Sequence, residues 1–379
     1  FGLMRYEAQG AESLVEVLTY EAFRLFRDRL VNIESRQAMD QLIYNQLRNN
    51  LKYGQTIGNI FFLSKVSNVN PIFPGTKTLG RIEKTDLEAT LKATIKSYER
   101  EYKDLNVILV DELLEKFAQL EKALSQNAGH VLLAGRSGTG RRTSCQLISH
   151  MLDMKFETPK ITRDYALSDF KKYLKSLMIE AGINGEKIVL FFEDHQLCES
   201  EFYEYLNSLI SSGEIPGLFA PEELDPLLTS LQEELRNEYE CKTVYELFVT
   251  RVVKNMRIVM SLDCKHPDFI SNCSSNPALT TKCNVIWSDS WSKGSMSKVL
   301  EVQLGESLKS LEVSQDEISS LLMQIHINCI DTGATPLHFF HFLENYKLVL
   351  SSKINSQADE SKHLIAGLDK LREAAQLVD

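Results

Sequence analysis

The residues best suited to chemistry are the run Gly135, Arg136, Ser137, Gly138, Thr139, Gly140, Arg141, Arg142, Thr143. Its three glycines let backbone N–H groups turn inward. A helix starting behind them adds partial positive charge, and a basic residue follows the last glycine, so the loop favours a phosphate chain. Gly135 and Gly140 keep the spacing of G-x-x-x-x-G-K-[ST]. Arg141, however, stands at the lysine position and Arg142 at the hydroxyl position, and a hydroxyl comes one residue late, at Thr143. Arginine keeps the charge but replaces a compact ammonium with a planar fork. The loop is therefore expected to bind phosphate and to be a poor catalyst. The plainer alternative is a glycine-rich strand-to-helix turn carrying solvated arginines.

A carboxylate is expected opposite it. Lys187 to Phe192 (KIVLFF) is the most hydrophobic strand-like run and ends in Glu193-Asp194-His195. An acid at the carboxyl end of a buried strand is where a nucleotide-bound Mg2+ would be held. Asp194 is assigned that role, with Thr143 as the second metal contact, and His195 falls where a water-polarising Glu would stand. A solvated acid at a strand end is the alternative.

These groups need a scaffold. Val131 to Ala134 reads as a buried strand, and Leu147, Ile148, Met151 and Leu152 recur at helical spacing behind the loop. Further strands are expected at 155–160, 187–192, 257–262 (ending at Asp263, placed to sense a terminal phosphate) and 283–287. Helices are expected at 111–124, 168–180 and 201–219. Alternating strands and helices imply an α/β fold with a parallel sheet covered on both faces. Residues 1 to about 62 read as helix throughout, and 61–81 (SNVNPIFPGTKTLG) reads as a linker because of its Pro and Gly content. Thr85 to Glu88 reads as a capping box. Val107 to Val110, upstream of the loop, either lies against a nucleotide base, with Val110 the contact, or is an edge strand or helix lead-in. Residues 221–250 read as a mostly solvated acidic insertion and 295–347 as a small helical domain. Leu364, Leu368, Leu371, Ala375 and Val378, spaced 4, 3, 4, 3, form a heptad seam that either belongs to a coiled-coil rod or packs onto that domain.

The 379 residues imply two or three structural units. A hydrophobic content of 43% and a charged content of 25% are those of a globular protein with a substantial core. The net charge of −10 argues against nucleic acid as a partner, including a DNA-remodelling role. Seven dispersed cysteines without a C-x-x-C pair suggest reduced thiols in an intracellular compartment, and no apolar run is long enough to span a membrane. The opening FGLMRYEAQG has no initiating Met, and the close is a charged helical pattern, so both ends are expected to continue in a longer chain.

Taken together, several stretches resemble the dynein heavy chains, at the fourth AAA+ module of their motor ring: YEAFRLFRDRLV (20–31), GHVLLAGRSGTGRRT (129–143), NSLISSGEIPGLF (207–219), SNPALTTKCNVIW (275–287), SWSKGSM (290–296), ATPLHFFHFL (334–343) and SKHLIAGLDKLREAAQLVD (361–379). The resemblance implies an AAA+ P-loop large domain at 82–290 with its small α-helical lid at 291–350. It also implies the lid of the third module at 1–66, a linker at 67–81, and the start of the coiled-coil stalk at 351–379. Implied as well are ATP or ADP with Mg2+ and the neighbouring AAA+ modules as partners. Microtubules (through the stalk tip), intermediate and light chains and ciliary transport trains would be reached through regions outside this stretch, with cytoplasm, cytoskeleton and cilium as the location. Against an active member's pattern, Asp263 takes the sensor-one position, Lys282 the arginine-finger position offered to the preceding site, and Leu337 the sensor-two position. Each change removes water activation or charge stabilisation, on which phosphoryl transfer depends. The expectation is a regulatory module that binds nucleotide with weak or no hydrolysis; the alternative is a degenerate domain that only fills a ring position.

Overall fold

A computed structural model describes residues 5–7, 10–52, 60–67, 77–136, 138–235, 241–288, 291–309 and 314–376. The chain divides into two compact units, Phe1–Asp289 and Ser290–Asp379.

The first unit begins with α1 (Gly10–Ala22), a π-helical turn (Phe23–Arg27) and α2 (Ile33–Leu51). The expected all-helical run to residue 62 fails at its end. Ile60–Leu63 is a strand, β1, paired antiparallel with β2 (Gly80–Glu83), Phe61 facing Ile82 in register. Aromatic and β-branched residues suit a pleated, half-buried surface, and pairing with a distant partner decides between strand and helix there. The linker reading fails at its edges for the same reason, since Leu79 and Gly80 are held by bridges to Tyr6 and Leu63; residues 68–76 lie outside the described residues. Tyr6, Val17, Tyr20, Phe23, Phe62 and Leu79 form a small core between these elements. From β2 the chain enters α3 (Lys84–Glu101) directly, with Glu83 as N-cap and no side-chain cap, so the Thr85 capping box is not used.

Next come α4 (Asp111–Leu124), β3 (Val131–Ala134), α5 (Arg141–Met151), β4 (Lys155–Glu157), α6 (Leu167–Gly182) and β5 (Ile188–Glu193). They are followed by α7 (Ser200–Ser212), α8 (Pro221–Thr229), α9 (Gln232–Leu235), α10 (Val244–Asn255), β6 (Met256–Leu262), α11 (Phe269–Ser275), α12 (Ala278–Thr281) and β7 (Asn284–Trp287). Among the described residues the last five strands form one parallel sheet in the order β4-β5-β6-β3-β7, with Leu132 in register with Met260 on one side and Val285 on the other. Every residue of β3 and β6 is buried, as a sheet covered on both faces requires. One cover is a cluster from α6, α7 and α10, where Phe170 stacks on Phe202 at 4.1 Å and Phe248 closes on Gly182 so tightly that a Cβ there would lie 2.4 Å from its ring. The solvated-insertion reading of 221–250 therefore fails for α10, whose Leu247, Phe248 and Val252 are core residues. The acidic composition of the preceding stretch masked a short apolar face.

Glu121 of α4, fully buried, accepts hydrogen bonds from the Ser64 N–H (3.0 Å) and the Ser64 hydroxyl, and Arg5 donates to the Lys122 carbonyl and the Ser125 hydroxyl at the helix's end. In this way α4 holds the end of β1 and the segment before α1.

The second unit holds α13 (Lys293–Lys309), α14 (Gln315–Cys329) and α15 (Pro336–Gln376). Met296, Val299, Leu300, Leu304, Leu322, Phe339 and Leu343 form its buried side. At 41 residues α15 is about 60 Å long at 1.5 Å per residue, and it runs unbroken through position 351. Leu364, Leu368 and Leu371 are 65–70% exposed, so the seam does not pack onto the small helical unit; Val378 lies outside the described residues.

Candidate functional site

Strand β3 delivers the glycine loop to the carboxyl edge of the sheet. The Gly135 N–H donates to the Leu262 carbonyl (3.1 Å), and a Cβ at Gly135 would lie 1.9 Å from the Ser288 carbonyl oxygen, so packing against the exit of β7 demands glycine there. Gly138 (φ 84°) and Gly140 (φ 74°) adopt left-handed backbone, the alternation that turns successive amides toward one point. Gly140 is the N-cap of α5, and its Cβ position is open apart from Leu113 at 3.5 Å. Thr139 is buried and its hydroxyl donates to the Arg136 carbonyl (3.3 Å); Ser137 lies outside the described residues.

The side chains after the loop are engaged in ways the spacing did not reveal. Arg141 directs Nη1 to the carbonyls of Leu262 (2.9 Å) and Leu133 (3.4 Å), beneath the loop at the ends of β6 and β3. Burial lowers its pKa, partly opposed by Asp194, Asp263 and Glu193. Arg142 pairs through Nη1 with Glu193 Oε2 at 3.0 Å. Thr143, half-buried, is the third residue of α5. Asp194 opens a 3-10 turn after β5, and its Oδ2 accepts the Asp263 N–H (2.8 Å) from the end of β6. Burial raises the Asp194 pKa against that hydrogen bond and Arg141. His195 is exposed beside it.

Three participants escaped the sequence reading. Lys116 projects from α4 and donates to the Thr139 carbonyl; it is 4% exposed, and burial, followed by the neighbouring Arg141 charge, pushes its pKa down to about 7, against weaker opposing effects of Cys145 and Glu112. Its spacing on the apolar face of α4, three after Leu113 and four before Leu120, was the available signal. Glu193 is the carboxylate that reaches α5. Gln196 fixes the turn, accepting the Glu193 N–H (2.9 Å) and donating to the Thr158 hydroxyl and Pro159 carbonyl (2.9 and 2.8 Å). Val110, buried, is the N-cap of α4; residues 107–110 form a helix lead-in and not an edge strand.

The loop fits a polyphosphate: left-handed glycine amides, a helix N-terminus, and Arg136, Arg141, Arg142 and Lys116 against Glu193, Asp194 and Asp263. It does not fit the magnesium clasp expected of Thr143 and Asp194. The second helical position, where a hydroxyl would meet the metal, carries a guanidinium already paired with the strand-end acid, and Thr143 is rotated about 100° further round the helix. Asp263, Lys282 and Leu337 lie respectively after β6, before β7 and in α15.

Residues 105–349 match the family model "P-loop containing dynein motor region D4". Over its full length the chain is 36% identical to cytoplasmic dynein 2 heavy chain 1 of Tripneustes gratilla and of Rattus norvegicus, covering 9% and 10% of those proteins. It is 33% identical to the Chlamydomonas reinhardtii protein of the same name, again over its full length and 9% of the relative. The chain thus spans about a tenth of the length of the curated relatives it matches.

Proposed function

The chain belongs to the P-loop dynein motor region D4 family, and from that premise we propose that it is a regulatory nucleotide-binding module of a dynein heavy chain, binding ATP or ADP with weak or no hydrolysis. The observation that carries this reading is the loop itself, in which left-handed glycine amides at the head of α5 are backed by a surplus of cationic side chains. Weak turnover follows from what surrounds it. With Glu193 at the end of β5 facing α5, the residue after it, Asp194, stands where water would be polarised; it is a shorter acid than Glu, and its Oδ2 is engaged by the Asp263 amide. Lys282 stands at the arginine-finger position offered to the preceding site, where a finger arginine is worth about 10³ to 10⁵ in rate, so it bears on that neighbour's turnover.

In this reading 1–66 is the lid of the preceding module, 67–81 a connector, 82–290 the large domain, 291–350 its lid, and 351–379 the root of the stalk coiled coil. The exposed leucines of α15 suit a helix that takes a partner further along. The similarity to cytoplasmic dynein 2 heavy chains supports a place in a minus-end-directed microtubule motor for retrograde intraflagellar transport, working with neighbouring AAA+ modules in cilium and cytoplasm. A second reading, a ring spacer that binds nothing, is favoured by one observation: Arg141 and Arg142 already have partners inside the protein.

Titration calorimetry of ADP into the 379-residue chain, together with single-turnover ATP hydrolysis, separates the two. Saturable binding with turnover far below that of an active AAA+ ATPase is expected. Absence of binding by the folded chain leaves the spacer, and fast turnover contradicts the regulatory role.

A further inference from the structure

We propose that Arg142, held by Glu193, takes the place of the divalent cation at the phosphate loop, so that this site binds nucleotide without magnesium. The inference rests on the nucleotide-binding reading above. In a hydroxyl-bearing phosphate loop, the second residue of the following helix and the acid at the end of a neighbouring strand hold Mg2+ between them. Here those two places are filled by Arg142 and Glu193, and Nη1 lies 3.0 Å from Oε2. A metal ion entering there would meet a fixed positive charge and would have to take Glu193 from its partner.

Neither neighbouring residue restores the clasp. Thr143 follows Arg142 on the helix, rotated about 100°, and Oδ2 of Asp194 is engaged by the Asp263 amide. Stability does not explain the pair, because ion pairs with side chains 42% and 27% exposed contribute little. A guanidinium carries five N–H donors, and a single nitrogen faces Glu193. The rest of the fork can address phosphate oxygens in the bidentate manner for which arginine is suited, while the carboxylate fixes its orientation.

The test is calorimetric titration of ADP into the 379-residue chain in buffer with Mg2+ and in buffer with EDTA. The dissociation constants are expected to agree within about threefold, since charge neutralisation comes from the side chain in both. The double variant Arg142→Ser, Glu193→Asp rebuilds the hydroxyl and short acid, and it should bind ADP at least about tenfold more tightly with Mg2+ than with EDTA. Arg142→Lys keeps the charge and the pair, and should remain insensitive to EDTA, with its fold checked by circular dichroism. A loss of more than about tenfold on adding EDTA to the unmutated chain overturns the proposal while leaving nucleotide binding intact. No ADP binding in either buffer overturns both.

Discussion

Two charge clusters in the first unit differ in a way that separates holding from binding. At the junction of the N-terminal helices with α4, Arg24 meets Asp28 (3.0 Å) and Glu115 (3.2 Å), while Arg27 meets Glu115 (2.7 Å) and Asp40 (2.9 Å). Gln119 donates to Asp28 (2.9 Å), and Arg24 lies over the Tyr20 ring at 5.0 Å. There Arg24, Arg27 and, at longer range, Arg36 face three carboxylates, beside a cavity of about 260 Å³ lined in part by Tyr20, Phe23 and Tyr44. Burial raises the Asp28 pKa to about 6. At the glycine loop Arg136, Arg141 and Arg142, with the partly neutralised Lys116, face Glu193, Asp194 and Asp263, and there the backbone adds amides and a helix N-terminus of positive sign. A cluster that supplies its own counter-charge fixes elements together; one left with excess positive charge is built for an anion.

The contrast can be broken at either end. Arg24→Met takes the nearest cation from the buried Asp28 and should lower the unfolding free energy by about 3 kcal/mol in chemical denaturation, with ADP affinity unchanged. A large affinity loss there would merge the two clusters into one. Gly140→Val should do the opposite, because a β-branched residue resists φ 74°: ADP affinity should fall at least about 100-fold, about 2.7 kcal/mol, with a smaller loss of stability. Equal affinity in calorimetry would mean that the loop amides do not carry the binding.

Lys116 gives a pH signature. Its folded pKa, about 7, lies below the ordinary 10.5, so between those values the unfolded chain binds more protons than the folded one. The cost of burying the ammonium is full below pH 7 and is relieved as pH rises toward 10.5. Lys116→Met should remove that part of the slope, up to about 1.4 kcal/mol per pH unit. Identical slopes in urea melts from pH 7 to 9 would contradict the buried charge. The smallest effect is expected of Thr143→Ala, within about 0.5 kcal/mol in ADP affinity, because the arginine before it fills the place the hydroxyl would need. A tenfold loss in titration would return Thr143 to the metal role.

The parallel strands were legible because a strand buried on both faces is apolar at every position, as in Val131–Ala134 and Ile188–Phe192, and the loop because its glycines sit where left-handed backbone is needed. What stayed hidden depends on partners remote in sequence. Ile60–Leu63 becomes a strand only beside Gly80–Glu83, and the position of Lys116 acquires meaning only when α4 is laid under Thr139. Glu193 and Asp194 are adjacent acids that spacing cannot tell apart. The fold separates them, sending one to Arg142 and the other to the Asp263 amide. The heptad seam of α15 was visible, and its exposure speaks against the reading in which it packs onto the small helical unit.

The most direct test is an experimental density map of the chain with ADP bound in the absence of divalent metal. The diphosphate should lie against the amides of Gly138 to Gly140, within hydrogen-bond reach of Arg142 while Arg142 still touches Glu193. A loop that stays empty, with arginine side chains filling the space above Gly140, would contradict the account.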